Sequence, residues 1–310
     1  MDSDAHAGPK IAFIGVGAMG LPMVRNILKN GYPVTVHDRV DARAEAAVAL
    51  GASWSRSCRE AAEKADVIIT ILPTAADVRT AVLGPCGIIE GIRAGATLIE
   101  MSTIEAEAVQ AIGAALLVKG VNVLGAPVVR GVKGAETGTL AIYAGGDPNV
   151  LDVCRPILTC LGNEIIFCGE LGTGNTVKLI NNMVVGVTVC LLSEAMVLGV
   201  KAGVDPDALF NGLSAGSANS FVLQNHIKNH SLTGNFPEGM FSIDYEMKDL
   251  SLALATAEKC RLPQHFAALA YQIFQQARAS GLGQKFYPAV IQISERLANV
   301  AVRTARADFK

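Results

Sequence analysis

The apolar run Lys10 to Gly15 (KIAFIG) leads without a spacer into glycines at 15, 17 and 20. The segment behind it, Ala18 to Asn30, places Met19, Met23, Ile27 and Leu28 on one helical stripe before Gly31 closes it. A strand, a tight turn and a helix in so little chain leave few folds open. The three glycines serve different ends, since Gly15 makes the turn, Gly17 lets backbone amides approach a pyrophosphate, and Gly20 lets the helix lie close to a sheet. An acidic residue, Asp38, follows eighteen positions after Gly20, at the end of a second apolar run, Val34 to Val36. The sequence thus predicts a dinucleotide site built from Gly15, Gly17, Ala18, Met19, Gly20 and Asp38. The Asp38 carboxylate would accept hydrogen bonds from ribose hydroxyls and repel a 2'-phosphate, which favours NAD over NADP. Arg39 pulls the other way, because a guanidinium can pair with that phosphate. A competing role for Asp38 is the N-cap of a helix starting at Asp41.

The alternation continues with a helix over Asp41 to Leu50 and a β-branched run, Val67 to Leu72, of the kind buried on both faces of a parallel sheet. Further strands are expected at Thr97 to Met101, Val121 to Leu124, Leu140 to Tyr143 and Glu164 to Phe167, with helices near Glu105 to Lys119 and Asn149 to Leu161. The fold class is therefore α/β, a doubly wound Rossmann-type parallel sheet over 10–170. Beyond Gly169 the periods become helical. A long interdomain helix is expected within 171–203, then an all-helical domain over 204–303 that opens on Asp205-Pro206, a good N-cap and first helical residue. Within it, helices are expected near Asp207 to Leu213, Ser220 to Asn229, Ile243 to Cys260, Pro263 to Ala279 and Pro288 to Ala301. Residues 1–9 read as a loose N-terminus.

Composition narrows the function. A chain of 310 residues that is 51% hydrophobic and 17% charged builds large cores and is not disordered. A net charge of -2 offers no basic field for nucleic acid. The most apolar stretch, Met183 to Leu192, falls short of the roughly 20 residues of a membrane span. The first residues lack the basic start and apolar run of a secretory signal, so the expected location is cytoplasmic. Seven scattered cysteines without a CxxC pair read as reduced core residues, and the histidines at 6, 37, 226, 230 and 265 lack metal spacing, so no metal is expected. His37 would lie beside the ribose.

Lys178 falls near the start of the long helix, where a cation opposes the macrodipole, so stability alone would not place it there. Asn181 and Asn182 lie three and four residues on, along the same face, and two amides in an apolar helix are costly unless satisfied. A polar ligand facing all three explains them.

Four blocks, GVGAMGLPMVRNILKN (15–30), MSTI (101–104), GAPVVRGVKGAETGTL (125–140) and GTGNTVKLINN (172–182), together with Lys248-Asp249-Leu250, resemble the β-hydroxyacid dehydrogenases from Lys10 to about Arg303. That family includes 3-hydroxyisobutyrate dehydrogenase and tartronate semialdehyde reductase. The resemblance implies that Lys178 is the catalytic acid/base and that Asn182, with Asn181 beside it, holds the substrate hydroxyl. It places Leu72 and Thr103 at the nicotinamide end of the cofactor and Lys248 over it, although Lys248 could instead be a helix lysine paired with Glu246 or Asp249. The loop after Ala-Pro-Val departs from the family: Ser-Gly-Gly is usual, and here Val129-Arg130-Gly131 stands, with Gly125 where Asp is common. An arginine in this loop is similar to the 3-sulfolactaldehyde reductases, which implies that Arg130 and Gly131 bind the substrate's acid group; otherwise Arg130 pairs with Glu136.

The activity so implied is NAD-linked hydride transfer between a small anionic 3-hydroxy acid and its semialdehyde or ketone, with 3-sulfolactaldehyde as one substrate. The alternatives are 3-hydroxyisobutyrate, tartronate semialdehyde, succinate semialdehyde and 2-(hydroxymethyl)glutarate. An imine reductase would generally have lost Lys178, and a decarboxylating 6-phosphogluconate dehydrogenase would have a far longer helical half. A non-catalytic dinucleotide-binding interaction protein would lack Lys178 and carry a basic extension. The apolar excess of the helical half and the resemblance both suggest a homodimer or homotetramer.

Overall fold

The computed structural model describes residues 8–304. His6 and most of the expected loose segment 1–9 lie outside them. The chain forms two compact units that meet in sequence between Lys178 and Leu179, inside one continuous helix, Thr173–Lys201.

The first unit is an α/β, doubly wound Rossmann-type domain. Its strands are β1 (Ile11–Ile14), β2 (Val34–His37), β3 (Ser53–Trp54), β4 (Val67–Thr70), β5 (Thr97–Glu100), β6 (Asn122–Gly125), β7 (Val128–Val129), β8 (Leu140–Gly145) and β9 (Gly162–Gly169). Strands β3-β2-β1-β4-β5-β6 run parallel in that order; β8 then joins antiparallel to β6 and β7, and β9 lies parallel to β8. The order reverses between β1 and β4, which makes the crevice at their carboxyl ends the topological switch point. The runs IAFI, VIIT and TLIE are buried at every position, because helices cover both faces of the sheet. Successive side chains point to opposite faces, so Phe13, Ile69 and Ile99 enter one core while Ala12, Ile68 and Leu98 enter the other.

Several short elements were not expected from periodicity: β3, β7 and the helices Cys58–Ala62, Ala75–Leu83, Ile88–Gly91 and Gly131–Thr137. Two of them carry legible start signals. The Ser57 side chain accepts from the Glu60 amide, and that of Thr74 accepts from the Asp77 amide.

The second unit is helical, with Pro206–Ala215, Ile243–Lys259, His265–Ala277 and Ile291–Ala298 packed around Val189, Met196, Leu250, Phe274 and Tyr287. The Asp205 carboxylate caps the first of these by accepting from the amides of Asp207 and Ala208, with Pro206 behind it. The segment expected as a helix over Ser220 to Asn229 is wound more widely, as a π-helix at Leu223–Ser231. The helix expected over Pro263 to Ala279 runs from His265 to Ala277 and passes into a wider-wound turn, Arg278–Leu282, which breaks at Gly281, whose φ of 83° lies in the left-handed region. The long helix corrects the expectation of a short apolar stretch: one 18-residue window has a mean hydropathy of 2.2, enough by length and composition alone to cross a membrane. One face of it nevertheless packs into the helical core through Val189, Cys190, Leu192, Met196 and Val197.

All seven cysteines are free, but only Cys154 and Cys190 are buried, while Cys86 and Cys260 are exposed. Apolar neighbours in sequence do not guarantee burial where the chain turns, as it does at Cys86, with φ 56°. Burial pushes the Cys58 and Cys154 thiols up to about 11.

Candidate active site

The glycine turn leaves β1 at the switch point. Gly15 has φ 99°, and a Cβ there would lie 2.4 Å from the Ile71 carbonyl oxygen; a Cβ on Gly20 would lie 1.9 Å from the carbonyl oxygen of Gly15. Both positions therefore demand glycine for reasons internal to the fold. Gly17 differs, because a Cβ there would meet nothing closer than an Arg43 guanidinium nitrogen at 4.0 Å. Its missing side chain leaves room on the outside of the turn. The helix Gly20–Lys29 begins there with no side-chain cap, so its positive end and first amides face the same room. Ala18 is exposed and Met19 half-buried on this rim. A dinucleotide pyrophosphate fits this cradle, and Gly15, Gly17, Ala18, Met19 and Gly20 would hold it.

Asp38 follows β2 and is buried. One carboxylate oxygen accepts from the Val16 amide at 2.8 Å and the other from the Val40 amide at 2.9 Å. It does not cap the helix Asp41–Val48, whose N-cap residue is Val40 without a side-chain bond. Asp38 instead ties the end of β2 to the glycine turn, and each oxygen keeps a second lone pair for ribose hydroxyls. Arg43 approaches it to 3.9 Å, and Arg39 pairs with Asp77 at 3.0 Å. His37 is committed elsewhere, with its Nδ1 at 3.0 Å from the Ser55 carbonyl oxygen.

Leu72, just past β4, and Thr103, just past β5, reach the same carboxyl edge. The Leu72 amide donates to the Ser102 hydroxyl at 2.8 Å, and the Ser102 amide donates to Glu100 Oε1 at 2.9 Å. Ser102 and the fully buried Glu100 were not singled out from sequence. The available clue was a carboxylate closing the otherwise apolar strand Thr97–Glu100.

Lys178 lies in the second turn of the long helix and is 8% exposed. One turn before it, Asn175 is fully buried and donates to the Ile104 carbonyl at 3.4 Å, tying the helix start to the segment that carries Thr103. The glycine at 125 now has a reason: a Cβ there would lie 2.8 Å from Asn175 Oδ1.

Arg130 corrects an expectation. It does not pair with Glu136; its guanidinium is 2.6 Å from Glu164 and donates to Asn163 at 2.7 Å and to the Thr139 carbonyl at 2.8 Å. Its own backbone is left-handed, with φ 86°, uncommon for a residue with a side chain, and Gly131 follows at φ 60°. The strand expected over Glu164 to Phe167 is present as β9, but the contact of Glu164 with this loop was out of reach of local patterning.

In the helical unit, Asn181 donates to Asn182 Oδ1 at 3.0 Å, and Asn182 donates to Asp249 at 2.6 Å. The Lys248 ammonium is 2.8 Å from the same carboxylate, which is almost completely buried. Asn181, Asn182 and Asp249 are thus linked by hydrogen bonds, with Lys248 ion-paired to Asp249, and Asp249 orients the Asn182 amide. Of the two partners expected from sequence, Lys248 takes Asp249. Among the described residues, no group of His, Cys, Asp and Glu side chains could hold a metal.

Comparisons with known proteins point to one family. Residues 10–169 match the NAD binding domain of 6-phosphogluconate dehydrogenase, and residues 172–293 match the family described as NAD-binding of NADP-dependent 3-hydroxyisobutyrate dehydrogenase. The chain is 36% identical over 293 residues to 2-(hydroxymethyl)glutarate dehydrogenase of Eubacterium barkeri, covering 94% of this chain and 97% of that one. It is 31% identical over 287 residues to human mitochondrial 3-hydroxyisobutyrate dehydrogenase, covering 91% and 85%. The solved structure of Mycobacterium tuberculosis 3-hydroxyisobutyrate dehydrogenase with L-serine superposes with a TM-score of 0.83 at 31% identity, covering 92% and 98%. The chain belongs to the β-hydroxyacid dehydrogenase family of 3-hydroxyisobutyrate dehydrogenase, oxidoreductases that act on CH–OH groups with a nicotinamide dinucleotide.

Proposed function

We propose that this enzyme interconverts a small anionic 3-hydroxy acid and its semialdehyde or ketone, with NAD(H) as cofactor and Lys178 as proton carrier. The observation that carries the reading is the buried Lys178, one turn beyond Asn175, in a unit whose glycine turn leaves room for a dinucleotide at Gly17. When bound, the nicotinamide supplies or accepts the hydride. Lys178 delivers a proton to the forming alkoxide in reduction and takes the hydroxyl proton in oxidation, the work of a positioned general acid/base. Asn182, held by Asp249 on one side and Asn181 on the other, would hold the substrate oxygen with little reorganisation. NAD is favoured over NADP because the buried Asp38 carboxylate stands at the end of β2, while Arg39, the cation that could answer a 2'-phosphate, is drawn off by Asp77.

The state of Arg130 bears on the substrate. Its fork is filled by Glu164, Asn163 and Thr139, so an incoming acid group has to displace Glu164 to reach it. This moves the preference from 3-sulfolactaldehyde towards a carboxylate substrate, with 2-(hydroxymethyl)glutarate first because the relative named for it spans nearly the whole chain. The sulfonate is the second reading, favoured by the guanidinium itself. A homodimer or homotetramer is part of the proposal. The test is NAD⁺ or NADH turnover against 2-(hydroxymethyl)glutarate, 3-hydroxyisobutyrate, sulfolactaldehyde, succinate semialdehyde and tartronate semialdehyde. Turnover with a carboxylate, faster with NAD(H) than NADP(H), is expected; no turnover with any member would overturn the reading.

A further inference from the structure

The start of the long helix sits backbone against backbone on the carboxyl edge of the sheet. A Cβ on Gly174 would lie 2.1 Å from the Tyr143 carbonyl oxygen, and one on Gly145 would lie 2.6 Å from the Glu170 carbonyl oxygen and 2.8 Å from Thr173 Oγ1. The first turn of the helix and the last residues of β8 therefore touch directly. Asn175 is the side chain keyed into this seat. It is fully buried, its Nδ2 donates to the Ile104 carbonyl at 3.4 Å, its Oδ1 faces Gly125, and among the described residues no group donates to that oxygen. A buried amide that makes one long hydrogen bond costs the fold more than it returns. Stability alone would place an apolar side chain there.

We infer that Asn175 is a positioning residue for the proton transfer, acting through Lys178. Lys178 stands three residues after Asn175 in the same helix, and Ile104 directly follows Thr103 past the end of β5. The contact of Asn175 with Ile104 thus sets how far the ammonium stands from Thr103 and its segment. Proton and hydride have to reach the same carbonyl group, and a general acid displaced by about 1 Å can lose about 10²-fold in rate. Gly125 belongs to the device although it carries no side chain. A methyl group there would lie 2.8 Å from Asn175 Oδ1, so the amide keeps its place only while residue 125 is glycine. The inference rests on the reading of Lys178 as proton carrier, and every contact in it lies within the first unit.

The test compares Asn175→Ala, Gly125→Ala and the double variant with wild type and with Ser57→Ala, which loses the cap of the helix Cys58–Ala62 and so loses stability elsewhere in the unit. The readouts are kcat on the fastest substrate of the panel above, the isotope effect with NADH deuterated at C4, and hydrogen exchange of the cofactor-free proteins by mass spectrometry. Asn175→Ala should lower kcat by about 10- to 100-fold, raise the isotope effect and keep the Kd for NADH within about twofold of wild type. Exchange should quicken in segments 101–106 and 172–178. Gly125→Ala should behave alike, and the double variant should lose no more than Asn175→Ala, because both changes act on one contact. Ser57→Ala should melt lower with kcat unchanged. Should Asn175→Ala fail to fold, Asn175→Ser, with a polar group of shorter reach, takes its place. Unchanged exchange in both segments would overturn the tie. Quicker exchange with kcat within about twofold of wild type would overturn the positioning role and leave Lys178 its proton. A Lys178→Ala protein that keeps a third of wild-type turnover would overturn the reading of Lys178 and this inference with it.

Discussion

Asp38 serves both the fold and the cofactor, and removing it separates the two roles. Its two oxygens accept from the amides of Val16 and Val40, one bond buried and the other partly so. A hydrogen bond to a charged group contributes about 1.5–3 kcal/mol, with the lower end fitting the partly exposed one. Asp38→Ala should therefore destabilise the first unit by about 3 kcal/mol, and Asp38→Asn, which keeps one acceptor, by about half that. For a unit of this size each kcal/mol moves Tm by about 2–4 °C, so the alanine variant should melt about 6–12 °C lower. The single tryptophan, Trp54, pairs with Val36 two positions before Asp38 and reports on that unit by fluorescence, which supplies the assay. The asparagine variant, melting closer to wild type, is then the one in which to compare NADH and NADPH; its preference for NADH should shrink with the lost charge. An alanine variant melting within about 2 °C of wild type would refute the tie between β2 and the glycine turn.

Gly20→Ala should fail to give folded protein, since its Cβ would meet a backbone carbonyl at 1.9 Å, whereas Gly17→Ala should melt like wild type and bind NADH at least tenfold more weakly; equal melting of the two variants would contradict the separate roles. His226 is half-buried with Nδ1 against the Tyr287 hydroxyl, and partial burial lowers its pKa from 6.5 to about 4. The folded state holds it neutral, so this stability is complete above about pH 6.5 and is lost as pH falls towards 4, up to about 3 kcal/mol. Urea midpoints between pH 7 and 4.5 should show that slope for wild type and a flatter one for His226→Gln. For Arg130, Glu164→Gln should free the guanidinium and raise kcat/KM for sulfolactaldehyde relative to 2-(hydroxymethyl)glutarate, and an unchanged ratio would remove Arg130 from substrate selection.

The parallel sheet was legible because strands buried on both faces announce themselves as unbroken β-branched runs, as in Val67–Thr70. The cradle was legible because Gly15 and Gly20 answer to a local steric demand from the chain's own carbonyls and Gly17, which does not, falls between them at the spacing a pyrophosphate turn requires. Short elements such as Cys58–Ala62 span too few residues to show a period, and only their caps marked them. Contacts across many residues were not legible. Arg130 finds Glu164 thirty-four positions on, and Asn182 finds Asp249 across sixty-seven, pairings that the tertiary fold alone creates. The Asn181–Asn182 pair did announce that something polar had to satisfy it, and part of the answer is a carboxylate of the protein.

If Lys178 moves the proton, its removal must slow the chemistry and spare the cofactor. Single-turnover and steady-state rates of Lys178→Ala, measured beside the Kd for NADH, separate the two. Turnover should fall by roughly 10² to 10⁴ while NADH affinity stays within about twofold of wild type, the signature of a lost general acid rather than a lost binding site. A variant that keeps a third of wild-type turnover would take the proton away from Lys178.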